Sequence, residues 1–431
     1  MKRKPIIGIL AAILIVLIAA IAALCFIRGG TSQNGTQPDI KDNEKQETVV
    51  ETEESVPEDS SENDVDVHLT ANIAVAGDIV AHTPINNNAY DGATGEYNYD
   101  HLFTEAAHIF RRADFSIVDF ESTFSGDGSY SGFPLFDSPD SWATALKNSG
   151  IDMVALANNH SLDTWFDGLC RTIDVMEENG LEHIGTYRTQ EERDKNHGVV
   201  VQDINGITIA FLDYTYGTNG LPRPEGKEFA VNIFNKDYMT TLSQFDYEKV
   251  GSDLEYARSL DTDLIAFIIH WGVEYQTSAN EYQKQIADYL LSEGVDMILG
   301  GHAHVPQQME MRQVEQADGS VKNCLVAYCL GNFISNQYDP YTDLTAVLEI
   351  EVDKDVLTGE TVIKDAGYTP MIMVRAGNYG FDKYALLDIH KEMAKYEAGE
   401  PGAVSRDLYE RMVKGLSDIR NIVGEEFDKA D

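Results

Sequence analysis

The sequence predicts an α/β domain beginning at Leu69, and three observations predict it. Short apolar runs alternate with helix-period segments from that point on. No internal repeat of solenoid length interrupts the alternation. Six of the apolar runs end in polar, metal-capable side chains, as expected where the strands of an open sheet deliver one ligand site past their carboxyl ends.

Two segments precede the domain. Lys2, Arg3 and Lys4 stand before an uncharged stretch from Ile6 to Ile27, 22 residues long, against the roughly 20 needed to cross a hydrocarbon core. Basic residues in front and acidic ones behind orient a single-pass transmembrane anchor with its N-terminus in the cytoplasm. A cleaved signal peptide would carry a shorter apolar region. Ala22-Ala23-Leu24-Cys25 loosely suggests a lipoprotein site, although Leu24 is bulky where a small residue is wanted. Residues 1–28 are therefore expected to anchor the chain, and every alternative places the remainder outside the cytoplasm. Residues 29–68 hold twelve acidic residues, two lysines and almost no large apolar ones. Such a stretch cannot bury enough surface to order itself, so a disordered acidic tether is expected.

The composition of the whole chain limits its partners. With 72 acidic against 32 basic residues the formal net charge is -40, which repels nucleic acid and anionic headgroups at long range. Four cysteines among 431 residues make no disulfide scaffold. Cys324 and Cys329 lie five apart on one expected strand and so on opposite faces. All four read as small apolar residues.

The strand ends come in order along the chain. The run Ala71–Ala76 leads to Gly77-Asp78, with His82 beyond. The run Phe115–Val118 leads to Asp119 and Glu121, and Met153–Leu156 to Asn158-Asn159-His160 and then Asp163. Leu264–Ile269 ends in His270-Trp271-Gly272 with Glu274 and Tyr275 following. Met297–Leu299 ends in Gly300-Gly301-His302-Ala303-His304, and Leu325–Leu330 in Gly331-Asn332. Asp and Asn are ordinary turn residues, and a single case would mean little. In an extended segment His302 and His304, at i and i+2, point the same way and reach adjacent metals, with the two preceding glycines permitting close backbone approach. The metal-ligand candidates are Asp78, His82, Asn159, His270, His302 and His304, while Glu121 and Asp119 can equally support other residues or cap a helix. His160 and Asp163 are the candidates for catalysis, and Asn158, Glu274, Tyr275 and Asn332 those for substrate contact. A mixed His, Asp and Asn set favours manganese, iron or zinc over calcium or magnesium alone. Two such ions could clamp the attacking and leaving oxygens of a phosphoester. There is no Gly-x-Ser-x-Gly, P-loop or zinc-ribbon pattern.

These motifs together resemble the CapA/PgsA family, the bacterial capsule or poly-γ-glutamate biosynthesis proteins of the calcineurin-like metallophosphoesterase superfamily. The resemblance covers 69–375. It rests on Ala76 to Ile85, Ala157 to Asp163, Thr215 to Gly220, His270 to Tyr275, Gly301 to Gln307 and Leu330 to Gln337. It implies a four-layer αββα sandwich over 69–380, two divalent metals held by Asp78, Asn159, His270, His302 and His304 with Glu121 completing the metal site, and His160 as proton donor to a leaving group. Membrane-bound polymer synthase or export subunits, and an anionic polymer or phosphoester substrate, are the implied partners. Three departures stand out: Asp119 and Asp137 where the family usually has Asn, and Trp165 where it usually has Gly. Residues 381–431 read as a helical extension. Three functional readings follow: a capsule-polymer assembly protein, a metal-dependent surface hydrolase, and a binding module with structural metals.

Overall fold

Period-two alternation decides how the central strands pack. In the strand Leu264–His270, Leu264, Ala266 and Ile268 enter one core while Ile265, Phe267 and Ile269 enter another. The strand His68–Val80 divides likewise, with Ile73 and Val75 on one face and Ala74 and Ala76 on the other. Both faces are covered, so these runs stay apolar until they reach the polar residues near their ends.

The computed structural model describes residues 67–315 and 319–429. The anchor expected within 1–28 and nearly all of the tether expected over 29–68 lie outside them. Among the described residues no helix is long and apolar enough to cross a membrane.

Two mixed sheets carry the fold. The first has eight strands in the order Ala385–Asp388, Thr361–Val374, Leu344–Asp355, His68–Val80, Phe115–Glu121, Met153–Ala155, Glu182–Ile184, with Asn332–Ile334 pairing to the far end of His68–Val80. The strands from His68–Val80 to Glu182–Ile184 run parallel, and the C-terminal three join them antiparallel. The second has six, in the order Met309–Glu315, Val321–Ala327, Met297–Gly301, Leu264–His270, Ile207–Thr215, Val200–Ile204, parallel at its centre and antiparallel at both edges.

The sheets share one core, in which Ile73, Val75, Phe115 and Ile117 meet Ile209, Phe211, Ala266 and Leu299. Phe115 and Phe211 touch there with ring centroids 5.7 Å apart. Helices Ser141–Ser149 and Trp165–Glu178 cover the outer face of the first sheet through Trp142, Leu146, Leu169 and Ile173. Helices Tyr247–Ser259 and Glu281–Ser292 cover the second through Leu254, Ile286 and Leu290. The last of these starts on a capping box between Asn280 and Gln283.

The segment expected to be a helical extension contains a strand as well. Leu387 lies in Ala385–Asp388, hydrogen-bonded along Thr361–Val374. The long helix Arg406–Val423 sends Leu408, Met412, Leu416, Ile419 and Val423 into the inter-sheet core, an apolar stripe at helical spacing.

Candidate metal centre

Parallel strands of both sheets end side by side, and the chemistry collects where they do. Asp78 sits late in His68–Val80, beside a register shift between Ala76 and Asp78. Gly77 packs so closely that a Cβ there would lie 1.9 Å from Gly331 O. Asp119 and Glu121 belong to the end of Phe115–Glu121 itself. His270 closes its strand, and His302 and His304 follow Met297–Gly301. Those two histidines are not in extended backbone. Their φ angles are 88° and 58°, and the bend, not strand alternation, brings their rings to 5.8 Å. Gly301 allows it, since a Cβ there would stand 2.5 Å from Asp78 Oδ1.

Three groups of ligand atoms lie within 4.8 Å of one another: Asp78, Glu121 and His304; Asp78, Asp119 and His270; Glu274, His302 and His304. Asp78 belongs to two of them and so stands between the other ligands. Glu121 Oε atoms face His304 Nδ1 at 3.7 Å, His270 Nε2 at 3.8 Å and His160 Nε2 at 4.0 Å. Asp78 Oδ2 accepts from the His302 backbone N–H at 3.0 Å. His304 Nδ1 pairs with Asn332 Oδ1 at 3.0 Å.

Burial shapes the electrostatics. It pushes the Asp119 carboxyl up to about 7 and the Glu121 carboxyl well above its usual range, where Asp78 and Asp119 add repulsion. Burial lowers His270 to about 3 and His302 well below the usual imidazole range. His270 is thus neutral and has one N–H. Its Nδ1 lies 2.7 Å from Asp119 Oδ2 and its Nε2 3.0 Å from Asn159 Oδ1. With Nδ1–H donated to Asp119, the Nε2 and Asn159 lone pairs converge on one point.

This donor set fits a cation. Asp78 Oδ1, both Glu121 oxygens and His302 Nδ1 are buried without a hydrogen-bond partner. Such orphans are costly, and a divalent ion on the nitrogen and oxygen ligands around them would satisfy them.

The other expected residues divide. His160 Nδ1 is 2.7 Å from Asp163 Oδ2, which also accepts from Phe136 N at 2.6 Å. That pairing turns His160 Nε2 toward Glu121. His82 stands in the cleft wall, with Nδ1 occupied by Val80 O and Asn336 N, and outside the three ligand groups. Glu274 and Tyr275, both expected to touch substrate, line the cleft, and Glu274 also comes within 4.8 Å of the ligand atoms of His302 and His304. Asn158 and Asn332 do not present free amides to substrate. Asn158 donates to Asp119 Oδ1 and Phe120 O and accepts from His160 N. Asn332 is held by His304, Gln337 and Thr342. Both position other residues.

Four residues in or beside the site had no assigned role. Asp119 anchors His270. Asn219 contacts Asn159 at 3.2 Å and His160 Nε2 at 3.4 Å. Tyr216 lays its ring 4.5 Å from that of His302. Asp213, on the second sheet, accepts from Ala157 N at 2.9 Å and so steadies the loop carrying Asn159. Of the departures, Asp137 lies apart, its carboxylate bonded to Ser125. Trp165 takes a φ of 62°, a conformation in which glycine is strain-free. A cleft of about 540 Å³ opens over the centre, walled by Phe133, Leu135 and Leu221 and floored by His160, Asn219 and His304.

Comparison with known proteins gives the following. A family model described as bacterial capsule synthesis protein PGA_cap matches residues 72–337. The PGA biosynthesis protein CapA of Bacillus subtilis (strain 168) is 25% identical over 266 residues, 61% of this chain and 64% of that protein. The capsule biosynthesis protein CapA of Bacillus anthracis is 27% identical over 194 residues, 45% of this chain and 42% of that one. The chain therefore matches less than two thirds of either relative's length. Among solved structures, the calcineurin-like phosphoesterase YfkN from Bacillus subtilis aligns at a TM-score of 0.38 and 12% identity, covering 82% of this chain and 97% of its own. A novel phosphatase from Mycoplasma pneumoniae aligns at 0.39 and 14%, covering 70% and 94%.

Proposed function

The chain belongs to the bacterial capsule synthesis protein PGA_cap family, and from that we propose that it takes part in making a capsule polymer of the poly-γ-glutamate type. In this reading it works outside the cytoplasm as a membrane-anchored protein with a metallophosphoesterase-type centre, beside membrane-bound polymer synthase or export subunits. The names of the two Bacillus relatives support the pathway. The observation that carries the centre is the cluster of partnerless acceptors on Asp78 and Glu121, together with His302 Nδ1.

Asp78, Glu121, Asn159, His270, Glu274, His302 and His304 would hold two ions of manganese, iron or zinc, with Asp119 orienting His270. Bound there, such ions supply positive charge for an attacking and a leaving oxygen. The chain's own contribution is the rest. Asp163 fixes the His160 ring, so a proton held at Nε2 is aimed at the cleft, where a leaving oxygen could take it. Phe133, Leu135 and Leu221 keep one wall of the cleft apolar. That dyad favours a second reading, a metal-dependent hydrolase at the cell surface with no tie to capsule assembly.

One comparison tests both readings. Metal content, hydrolysis of a generic phosphodiester and polymer production in cells would be measured for the protein and an Asp78→Ala/His302→Ala variant. The wild type is expected to carry divalent metal that the variant lacks, and cells with the variant to lose polymer. Hydrolysis by the wild type that the variant loses, with polymer levels unchanged in cells carrying the variant, would favour the second reading. A metal-free wild type would overturn the centre.

A further inference from the structure

The cleft over the centre has no lysine or arginine in its lining, an odd surface for a protein handling an anionic chain. In a chain of net charge -40, most arginines of the described residues are paired with carboxylates, among them Arg171, Arg188, Arg193 and Arg411. Arg375 is not: among the described residues no carboxylate lies within 4.0 Å of it. Its Nη2 donates to the backbone carbonyl of Gln337. Its guanidinium carbon lies 4.1 Å from the centroid of the Tyr338 ring. Its Nε is buried without a partner. Tyr338 itself is 73% exposed.

The position of this pair follows from a hydrogen-bond chain. His304 Nδ1 contacts Asn332 Oδ1 at 3.0 Å, and Asn332 Nδ2 donates to Gln337 Oε1 at 2.7 Å. Gln337 lines the cleft and carries Arg375 on its carbonyl. Arg375 is therefore held by a residue of the cleft lining and linked to a metal-ligand candidate through Gln337 and Asn332, though it is not itself in that lining. Arg223 also lacks an acid, but its Nη1 bonds Glu228 O and Val231 O and so ties its own loop.

We propose that Arg375, laid on Tyr338, is an anion subsite that holds a second carboxylate or phosphate group of a linear substrate whose first sits at the metal centre. A guanidinium fixed by one carbonyl and one ring keeps its remaining N–H groups for an oxyanion, in the planar geometry such groups favour. Ring contact preorganises the charge and shields one of its faces. An acidic protein gains most from a single local cation, because its general surface repels the same ligand. The subsite rests on the proposed function above, since it supposes a substrate with more than one anionic group.

The test uses the full chain loaded with Mn²⁺ and four probes, by calorimetry. Inorganic phosphate and acetate each carry one anionic group, whereas 1,3-propanediol bisphosphate and a γ-linked glutamate tetramer can span two. The wild type is expected to bind at least one of the longer probes tenfold or more tighter than its short counterpart. Which one does so separates a phosphate-bearing chain from a carboxylate-bearing one. Arg375→Met should abolish that advantage while leaving metal content and phosphate affinity unchanged, and Arg375→Lys should restore part of it. Tyr338→Ala, at an exposed position, should weaken the longer probe severalfold without loss of fold. No advantage in the wild type, an advantage that survives Arg375→Met, or equal loss of short and long probes in that variant would overturn the subsite. Metal uptake without an Arg375-dependent advantage removes the subsite alone. An Arg375-dependent advantage without metal uptake removes the metal centre and keeps the subsite.

Discussion

Asp119 shows how much one carboxylate can organise. Its Oδ2 faces His270 Nδ1 and its Oδ1 accepts from Asn158, whose carbonyl in turn takes the His160 N–H. Asp119→Ala is expected to leave the fold intact and to weaken metal binding by roughly tenfold to a hundredfold, the usual cost of losing a group that orients a ligand histidine. A competitive metal titration reads it, and wild-type affinity would refute the role. Most of the candidate ligands are legible because they follow an apolar run. Asp119 was harder, since an acid at a strand end reads equally as a cap. Tyr216 and Asn219 follow the strand Ile207–Thr215, but neither is a residue type that marks a metal site by itself, and their only signal is the motif Thr215 to Gly220. Asn158 and Asn332 depart from the expected substrate contact for a physical reason. An amide at a strand end faces either the cleft or the backbone around it, and only the folded chain decides.

At the scale of elements, two glycines test how the strands meet. A Cβ on Gly77 would strike the Gly331 carbonyl at 1.9 Å, backbone against backbone. Gly77→Ala should therefore destabilise the domain by about 3 kcal/mol, visible as a lowered denaturation midpoint. A Cβ on Gly301 would instead meet the Asp78 carboxylate at 2.5 Å. Gly301→Ala should keep the midpoint of the metal-free protein and lose metal affinity, because a side chain can yield where a carbonyl cannot. Equal effects from the two would refute the distinction. Strand-length alternation made the central strands readable, but Ala385–Asp388 is four residues long and borders a helix. At that length no period distinguishes strand from helix. The paired histidines were expected from strand geometry and arise from a left-handed bend, which spacing alone cannot encode.

For the molecule as a whole, the crowded acids couple metal to pH. The raised groups Asp119, at about 7, and Glu121 hold protons that their unfolded counterparts release near pH 4. Their contribution to stability is complete below that unfolded value and is lost as pH rises through the folded one, so the metal-free protein is burdened by like charges above pH 7. A cation relieves that burden, while below it protons compete for the same oxygens. His270 and His82, lowered to about 3 and about 4, stay neutral throughout. The gain in melting temperature from Mn²⁺ over chelator is thus expected to be large at pH 8 and nearly absent at pH 5. It should correspond to about 2.7 kcal/mol at a hundredfold excess over Kd. A gain that grows as pH falls would contradict the assignment. The candidate ligands come from both sheets, Asp78 and Glu121 from one and His270 and His302 from the other. A centre built this way would be complete only once both sheets have docked, so metal uptake would report finished assembly and a chelator would hold back its last step.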